Sequence, residues 1–321
     1  MKQVDYSVVI PVYFNEGSLR YTAERIFSDV FKKVGALRGE IVFVDDGSAD
    51  GSLKECTEIL KEHPCAVRII KLSRNFGQVN AIWCGLEHTS GPCVIISADG
   101  QDPIEMIPQM LDRYFNKGFE VVIATRESRE ESLWRKATSA FVYGAIRQLG
   151  HKDMPNGGFD FLLLGTQAKK ALIKEWQPNT FFQVRVLDLG FRRCVLPYHR
   201  EARKAGVSKW TLGKKLTYMI DGVLGHSFVP IRVMSILGFF FSGLSLLLAL
   251  FFLVAYFFNP HVIRGWTPII LILLFVGGVQ MLMIGALGEY LWRVLSQVRH
   301  APPYIVEQEF DCQEYAEDGI A

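Results

Sequence analysis

The sequence predicts an α/β chain in which a parallel sheet is followed by long apolar helices. Three observations carry that expectation: strand-like and helix-like segments alternate through residues 6–97, acidic clusters follow successive strands, and two apolar runs lie near the C-terminus. Taken in order, the alternating segments are YSVVIPV, an amphipathic run to about Phe31, EIVFVDD, a helix through Ile59, VRIIKL, a helix through Leu86, and CVIIS. A βαβα order of this kind implies parallel strands with helices on both faces. Ligands bind such sheets outside the carboxyl ends of the strands.

The polar clusters fall at those ends. VVIPVYFNE leaves Asn15 and Glu16 just past the first strand, IVFVDDGSADGS puts Asp45 and Asp46 at the end of the second, and VIISADGQDP puts Asp99 to Asp102 after the fourth. EVVIATR then places Arg126 at a further strand end. Asp45 or Asp46 can accept a hydrogen bond from a base N–H or a ribose hydroxyl, and Asp99 can hold a divalent cation through oxygen ligands. Each cluster also has a plainer reading: Asp50 to Ser52 suits a helix cap, and SADGQDP suits a turn shaped by Gly100 and Pro103 with Asp102 capping the next helix.

The start, MKQVDYSVVIPV, has no basic region, long apolar core or small-residue cleavage site, and reads as a first strand. Half of the 321 residues are hydrophobic, and the excess is concentrated late in the chain. The run from Ile231 to Phe258 contains ILGFFFSGLSLLLALFFLVAYFF, with no charge between Arg232 and Arg264; a second extends from Trp266 to Leu287. Each exceeds the roughly 20 apolar residues that cross a hydrocarbon core. Lys209, Lys214, Lys215 and Arg232 precede the first run and Arg293 and Arg299 follow the second, so both ends are expected on the cytoplasmic side. The segment from Trp210 to Val229 mixes lysines with apolar residues and is expected to lie at the membrane surface.

The expected organisation is therefore a cytoplasmic domain over residues 1–209, interfacial helices over 210–230, two transmembrane helices over 231–291 and a cytoplasmic tail over 292–321, acidic and disordered from Glu307 onward. A net charge of +2 neither requires nor excludes an anionic partner, and no nucleic-acid binding is expected. Six scattered cysteines without a CxxC pair suggest neither a zinc site nor a disulfide framework. His88, His151, His199 and His226 have no partner at ligand spacing, and Trp83 reads as a packing residue.

The motifs PVYFNE, VDDGSADGS, SRNFGQVNA, SADGQDP, ATR, GGFDF and REARKAGVSKW stand here in the order and approximate spacing of a known family. The chain resembles glycosyltransferase family 2 enzymes of the dolichyl-phosphate mannosyltransferase and bactoprenol glucosyltransferase type, and the likeness continues through both apolar runs into GEYLWRVLSQVRHAPPYIV. That resemblance implies a GT-A, Rossmann-like catalytic domain, a nucleotide diphosphate sugar donor (UDP-glucose by default), a divalent metal (Mg2+ or Mn2+), inversion at the anomeric carbon, a polyprenyl phosphate acceptor and a homo-oligomer such as a tetramer.

Carried over by position, Pro11, Tyr13, Glu16, Asp45, Asp46 and Arg74 would line the nucleotide pocket. Asp99 and Gln101 would sit at the metal and diphosphate. Arg126, Arg135, Ser139, Arg200, Arg203 and Lys209 would bind the acceptor phosphate, with Asp102 or Asp160 orienting the sugar or acting as a base. The chain departs from the family's DADLQ pattern at Ser97 and Gly100, and has GFDF where bactoprenol enzymes carry GDFR. Two alternatives to an active transferase stand beside this reading. A catalytically impaired nucleotide-sugar binding protein is motivated by Ser97 and Gly100, whereas a processive polysaccharide synthase would carry a QxxRW motif and further spans, which this sequence lacks.

Overall fold

The computed structural model describes residues 4–126, 144, 154–155, 158–176, 181–198, 229–258, 266–299 and 302–311. The chain divides into two units, one of Met1–Met219 with Pro302–Ala321 and one of Ile220–Ala301.

The first unit is built on a sheet of order β7-β5-β6-β4-β1-β2-β3-β8. Its strands are β1 (Tyr6–Val12), β2 (Gly39–Asp45), β3 (Val67–Leu72), β4 (Cys93–Ile95), β5 (Val121–Arg126), β6 (Leu162–Leu164), β7 (Arg193–Tyr198) and β8 (Val306–Phe310). The intervening helices are α1 (Leu19–Arg25), which continues as a π-helical turn to Phe31, α2 (Ser52–Glu62), α3 (Gln78–Glu87), α4 (Ile107–Phe115), α5 (Thr166–Lys174) and α6 (Phe182–Asp188).

Strand periodicity explains the two cores. Val8, Ile10, Val12, Ile41 and Phe43 point to one face, where α1, α2 and α4 supply Leu19, Ile59 and Met110. Val9, Val42 and Val44 point to the other, packed by Trp83 and Leu86 of α3, Leu172 of α5 and Val186 of α6. Because helices cover both faces, the central strands carry almost unbroken apolar runs instead of an alternation of polar and apolar residues. Trp83 is fully buried against Phe182, as its apolar surroundings in the sequence suggest.

The alternating segments as far as β4 do form a parallel arrangement, with β1 beside both β2 and β4 and β2 beside β3. The whole sheet is mixed, however. β6 runs antiparallel between β4 and β5, and β8 runs antiparallel along β3. The disorder expected from Glu307 onward is corrected for residues 306–310: Glu307 meets Lys71 at 2.9 Å and Glu309 meets Arg68 at 3.7 Å, so the acidic residues answer cations of β3. Among the described residues, no disulfide joins Cys56, Cys65, Cys84, Cys93 or Cys194.

The second unit contains α7 (Val229–Phe258) and α8 (Trp266–Val298), of 30 and 33 residues. At 1.5 Å per residue each is more than roughly 40 Å long, beyond the thickness of a hydrocarbon core. Phe241 and Phe275 make an edge-to-face contact between them at 5.4 Å. Large apolar side chains such as Phe239, Phe258 and Met281 face outward, 85%, 86% and 70% exposed. Among the described residues, one window, Phe275–Trp292, is long and apolar enough by composition to cross a membrane. The interfacial helices expected over 210–230 lie outside the described residues except at 229–230.

Candidate active site

The strand order reverses at β1, which has β2 on one side and β4 on the other, and the carboxyl ends beside such a switch point are where open α/β sheets bind ligands. Val12 is level with Asp45, and Val9 is level with Ile95, so the segments after β1, β2 and β4 leave the sheet along one edge. Leu162 of β6 is level with both Ile95 and Ile123. Since β6 runs the opposite way, Asp160 just before it emerges on the edge where Asp99 follows β4 and Arg126 ends β5.

Hydrogen bonds lock the first of these loops to the second. The Phe14 N–H donates to Ser48 Oγ at 3.1 Å and the Asn15 N–H to Ser52 Oγ at 2.8 Å. The Gly51 N–H donates to Glu16 Oε2 at 3.0 Å, so the exposed Glu16 carboxylate ties the loops together. Phe14 takes φ 55°, a left-handed conformation uncommon for an aromatic residue, while Tyr13 and Phe14 stand exposed in edge-to-face contact at 4.6 Å. Ser18 Oγ lies 2.8 Å from Ala98 O and joins the first loop to the segment after β4. The Asp50 carboxylate accepts the Ser52 N–H at 3.2 Å at the start of α2, where the N-cap position itself is Gly51, without a side-chain cap.

Asp45 and Asp46 have different surroundings. Asp45 is fully buried and accepts the Ser48 N–H at 3.3 Å; burial raises its pKa and the Ser48 bond opposes the rise. The Asp46 carboxylate accepts from Phe76 N at 2.6 Å, Gly77 N at 2.9 Å and Asn75 Nδ2 at 3.0 Å, and so fixes the loop after β3. Burial pushes its pKa up to about 6 against those backbone bonds. Gly47, at φ 68°, sits where a Cβ would meet the Arg74 carbonyl carbon at 2.7 Å, so only glycine lets these two loops close together. Arg74 itself is exposed, its guanidinium 4.4 Å from the centre of the Phe76 ring.

The loop after β4 is closed by its own carboxylates. Asp102, 3% exposed, accepts the Ser97 N–H at 2.8 Å, and Asp99 Oδ1 accepts the Gln101 N–H at 3.1 Å. Gly100 turns at φ 66°, and a Cβ there would stand 3.2 Å from the Tyr21 ring. That explains the departure at Gly100: in this chain the turn needs a left-handed residue against an aromatic wall. The exposed Asp160 carboxylate accepts from Gln183 Nε2 at 3.2 Å.

Ser97, Asp99 and Gln101 offer one carboxylate, one amide and one hydroxyl within five residues, an oxygen-only donor set. Among the described residues no group of three His, Cys, Asp or Glu side chains forms a cage. Such a set fits a hard divalent cation that takes its remaining ligands from substrate oxygens and water, as Mg2+ does beside phosphates. The Arg126 side chain and Arg135, Ser139, Arg200, Arg203 and Lys209 lie outside the described residues. Sequence reasoning missed Ser18, Ser48 and Asn75 as loop fasteners, although Ser48 stands inside VDDGSADGS and Asn75 inside SRNFGQVNA. Gln183, from a distant helix, left no signal.

Residues 7–189 match the family described as Glycosyl transferase family 2, more than half of the chain. The chain belongs to glycosyltransferase family 2. This glycosyltransferase is 33% identical to the glycosyltransferase YkcC of Bacillus subtilis strain 168, over 97% of this chain and 96% of the relative. It is 29% identical to the bactoprenol glucosyl transferase of Shigella phage SfV, over 94% of this chain and 98% of the relative. The family assignment agrees with the mixed α/β sheet and makes the protein an enzyme of glycosyl transfer.

Proposed function

We propose that this glycosyltransferase moves a sugar, with inversion, from a UDP-sugar to undecaprenyl or another polyprenyl phosphate at the cytoplasmic face of a membrane, for a cell-envelope glycan. The observation that carries the reading is the convergence of Asp45, Asp99, Asp160 and the end of β5 on one sheet edge, in a chain similar over nearly its whole length to a bactoprenol glucosyl transferase. The outward apolar faces of α7 and α8 support membrane anchorage by both helices, since surface of that kind is costly in water.

The donor reading gives Tyr13, Pro11, Asp45 and Arg74 to the nucleotide, with Glu16 and Asp46 holding their loops in place. Asp99 and Gln101 would hold Mg2+ or Mn2+. That ion, when bound, neutralises the charge that develops on the departing nucleotide diphosphate. The acceptor phosphate is already anionic near neutral pH, so its oxygen attacks the anomeric carbon as the bond to the diphosphate breaks, and no strong base is required. Arg126, with Arg135, Ser139, Arg200, Arg203 and Lys209, would align that phosphate. Asp160, exposed on the rim, orients the sugar hydroxyls, while the buried Asp102 keeps the Asp99 turn closed.

The test uses membranes containing the full chain, a panel of radiolabelled nucleotide sugars, undecaprenyl phosphate, and Mg2+ or Mn2+. Lipid-linked product from a UDP-sugar is expected. Donor binding without product under every condition would favour a binding protein instead.

A further inference from the structure

The outermost strand of the sheet comes from the far end of the chain. β8 begins only after α8 has ended at Val298, yet it pairs along β3 with Ile69 level with Phe310 and Leu72 level with Val306. The pairing does not stop where β3 stops. The Ser73 N–H donates to Ile305 O at 3.0 Å, which carries the tail's grip into the segment that runs through Arg74 to Gly77.

That segment is held from two sides. Asp46 takes the amides of Phe76 and Gly77 from the β2 side, and Ile305 takes the amide of Ser73 from the tail. Ser73, Arg74 and Asn75 are themselves exposed; the Arg74–Asn75 backbone lies against Gly47, and Asn75 Nδ2 adds a bond to Asp46. Ion pairs fasten the tail strand, Lys71 to Glu307 at 2.9 Å and Arg68 to Glu309 at 3.7 Å; Glu309 also lies 3.2 Å from His88 Nε2, and the Tyr304 hydroxyl donates to the Glu87 carboxylate. Lys71 is also level with Asp45, so Glu307 pairs with a cation whose charge acts on that buried carboxylate.

We propose that the C-terminal strand, through Ile305 and Glu307, is a positioning element for the donor-binding segment Ser73–Gly77, so that affinity for the nucleotide sugar depends on the tail. The proposal rests on the reading of Arg74 as a nucleotide-pocket residue. Its physical basis is population: a segment that holds its binding conformation only part of the time weakens apparent affinity by that fraction. The groups assigned to the reacting centre, Asp99 and Asp160, stand on segments next to β4 and β6, on the opposite side of β1 from β3. Loss of the strand therefore raises donor KM and spares kcat at saturating donor.

The test replaces residues 304–310 of the full chain with a Gly/Ser stretch of equal length, and separately makes the double variant Glu307→Gln/Glu309→Gln, which keeps the backbone ladder. Amide exchange over Ser73–Gly77 and steady-state kinetics with UDP-glucose and undecaprenyl phosphate are measured, with Arg74→Ala in parallel. Faster exchange and a donor KM raised about tenfold in the replacement, and by a smaller factor in the double variant, with acceptor KM and kcat near wild type, are expected. If the replacement fails to fold, an unchanged donor KM and unchanged exchange in the double variant overturn the proposal. An unchanged donor KM in a folded replacement beside a raised one in Arg74→Ala overturns the positioning role and leaves the pocket intact. Wild-type donor KM in both would overturn the pocket assignment and the proposal with it.

Discussion

Asp46 Oδ1 lies 2.6 Å from the Phe76 amide nitrogen, so a carboxylate at the end of β2 fixes the loop that leaves β3. Asp46→Asn presents an amide group where three N–H donors converge, and a buried donor left without an acceptor costs about 1–3 kcal/mol. We expect donor KM to rise by roughly tenfold or more, since 1.4 kcal/mol is a factor of ten, with acceptor KM unchanged in the same assay.

The same carboxylate sets a pH dependence. Its pKa in the folded protein is raised from 3.8 to about 6 by burial, so the native state holds the proton more tightly than the unfolded chain. Stability contributed by Asp46 is therefore present below the unfolded pKa and is lost as pH rises through the folded value near 6. Donor affinity runs the other way, because the ionised form is the better acceptor for Phe76 and Gly77. Donor KM measured against pH should fall as pH passes about 6, and Asp46→Asn should remove that step. A step of equal size in the variant would assign it to another group.

Gly100→Ala tests the turn beside Asp99. A Cβ at φ 66° and 3.2 Å from the Tyr21 ring costs about 1–2 kcal/mol for the left-handed backbone alone. Thermal unfolding should occur at lower temperature, and more metal should be needed for half-maximal activity. Unchanged values for both would mean that the turn adapts freely.

Ser97→Asp restores the carboxylate of the family's DADLQ pattern. A second acidic oxygen donor near Asp99 should lower the Mg2+ or Mn2+ concentration for half-maximal activity, by roughly tenfold if it adds about 1.4 kcal/mol. A metal titration of the solubilised enzyme reads this directly.

Much of this architecture is legible in the sequence because β1 to β4 lie within apolar runs, with acidic residues directly after the strands. β6 is hidden: LLL is too short a run to distinguish from a turn, and only its pairing with β4 shows that it brings Asp160 to the rim. β8 escapes a sequence reading because VEQEF looks like a solvated tail until Lys71, Arg68 and His88 are placed beside it. Asp45 and Asp46 are adjacent and look alike in the sequence. Pleating sends them to different partners, Ser48 for one and the Asn75 to Gly77 segment for the other. Gly100 stands out in the sequence as a departure, but its reason, the Tyr21 ring, comes from α1 and is not visible locally.

The most direct measurement is sugar transfer to undecaprenyl phosphate by wild-type and Asp99→Ala chains at equal abundance in the same membranes, with and without chelator. Loss of product with chelator in the wild type, and a fall on the order of a hundredfold or more in the variant with its fold intact, is the expected result. Full turnover by Asp99→Ala, insensitive to chelator, would contradict the assignment of the rim after β4 as the seat of diphosphate departure.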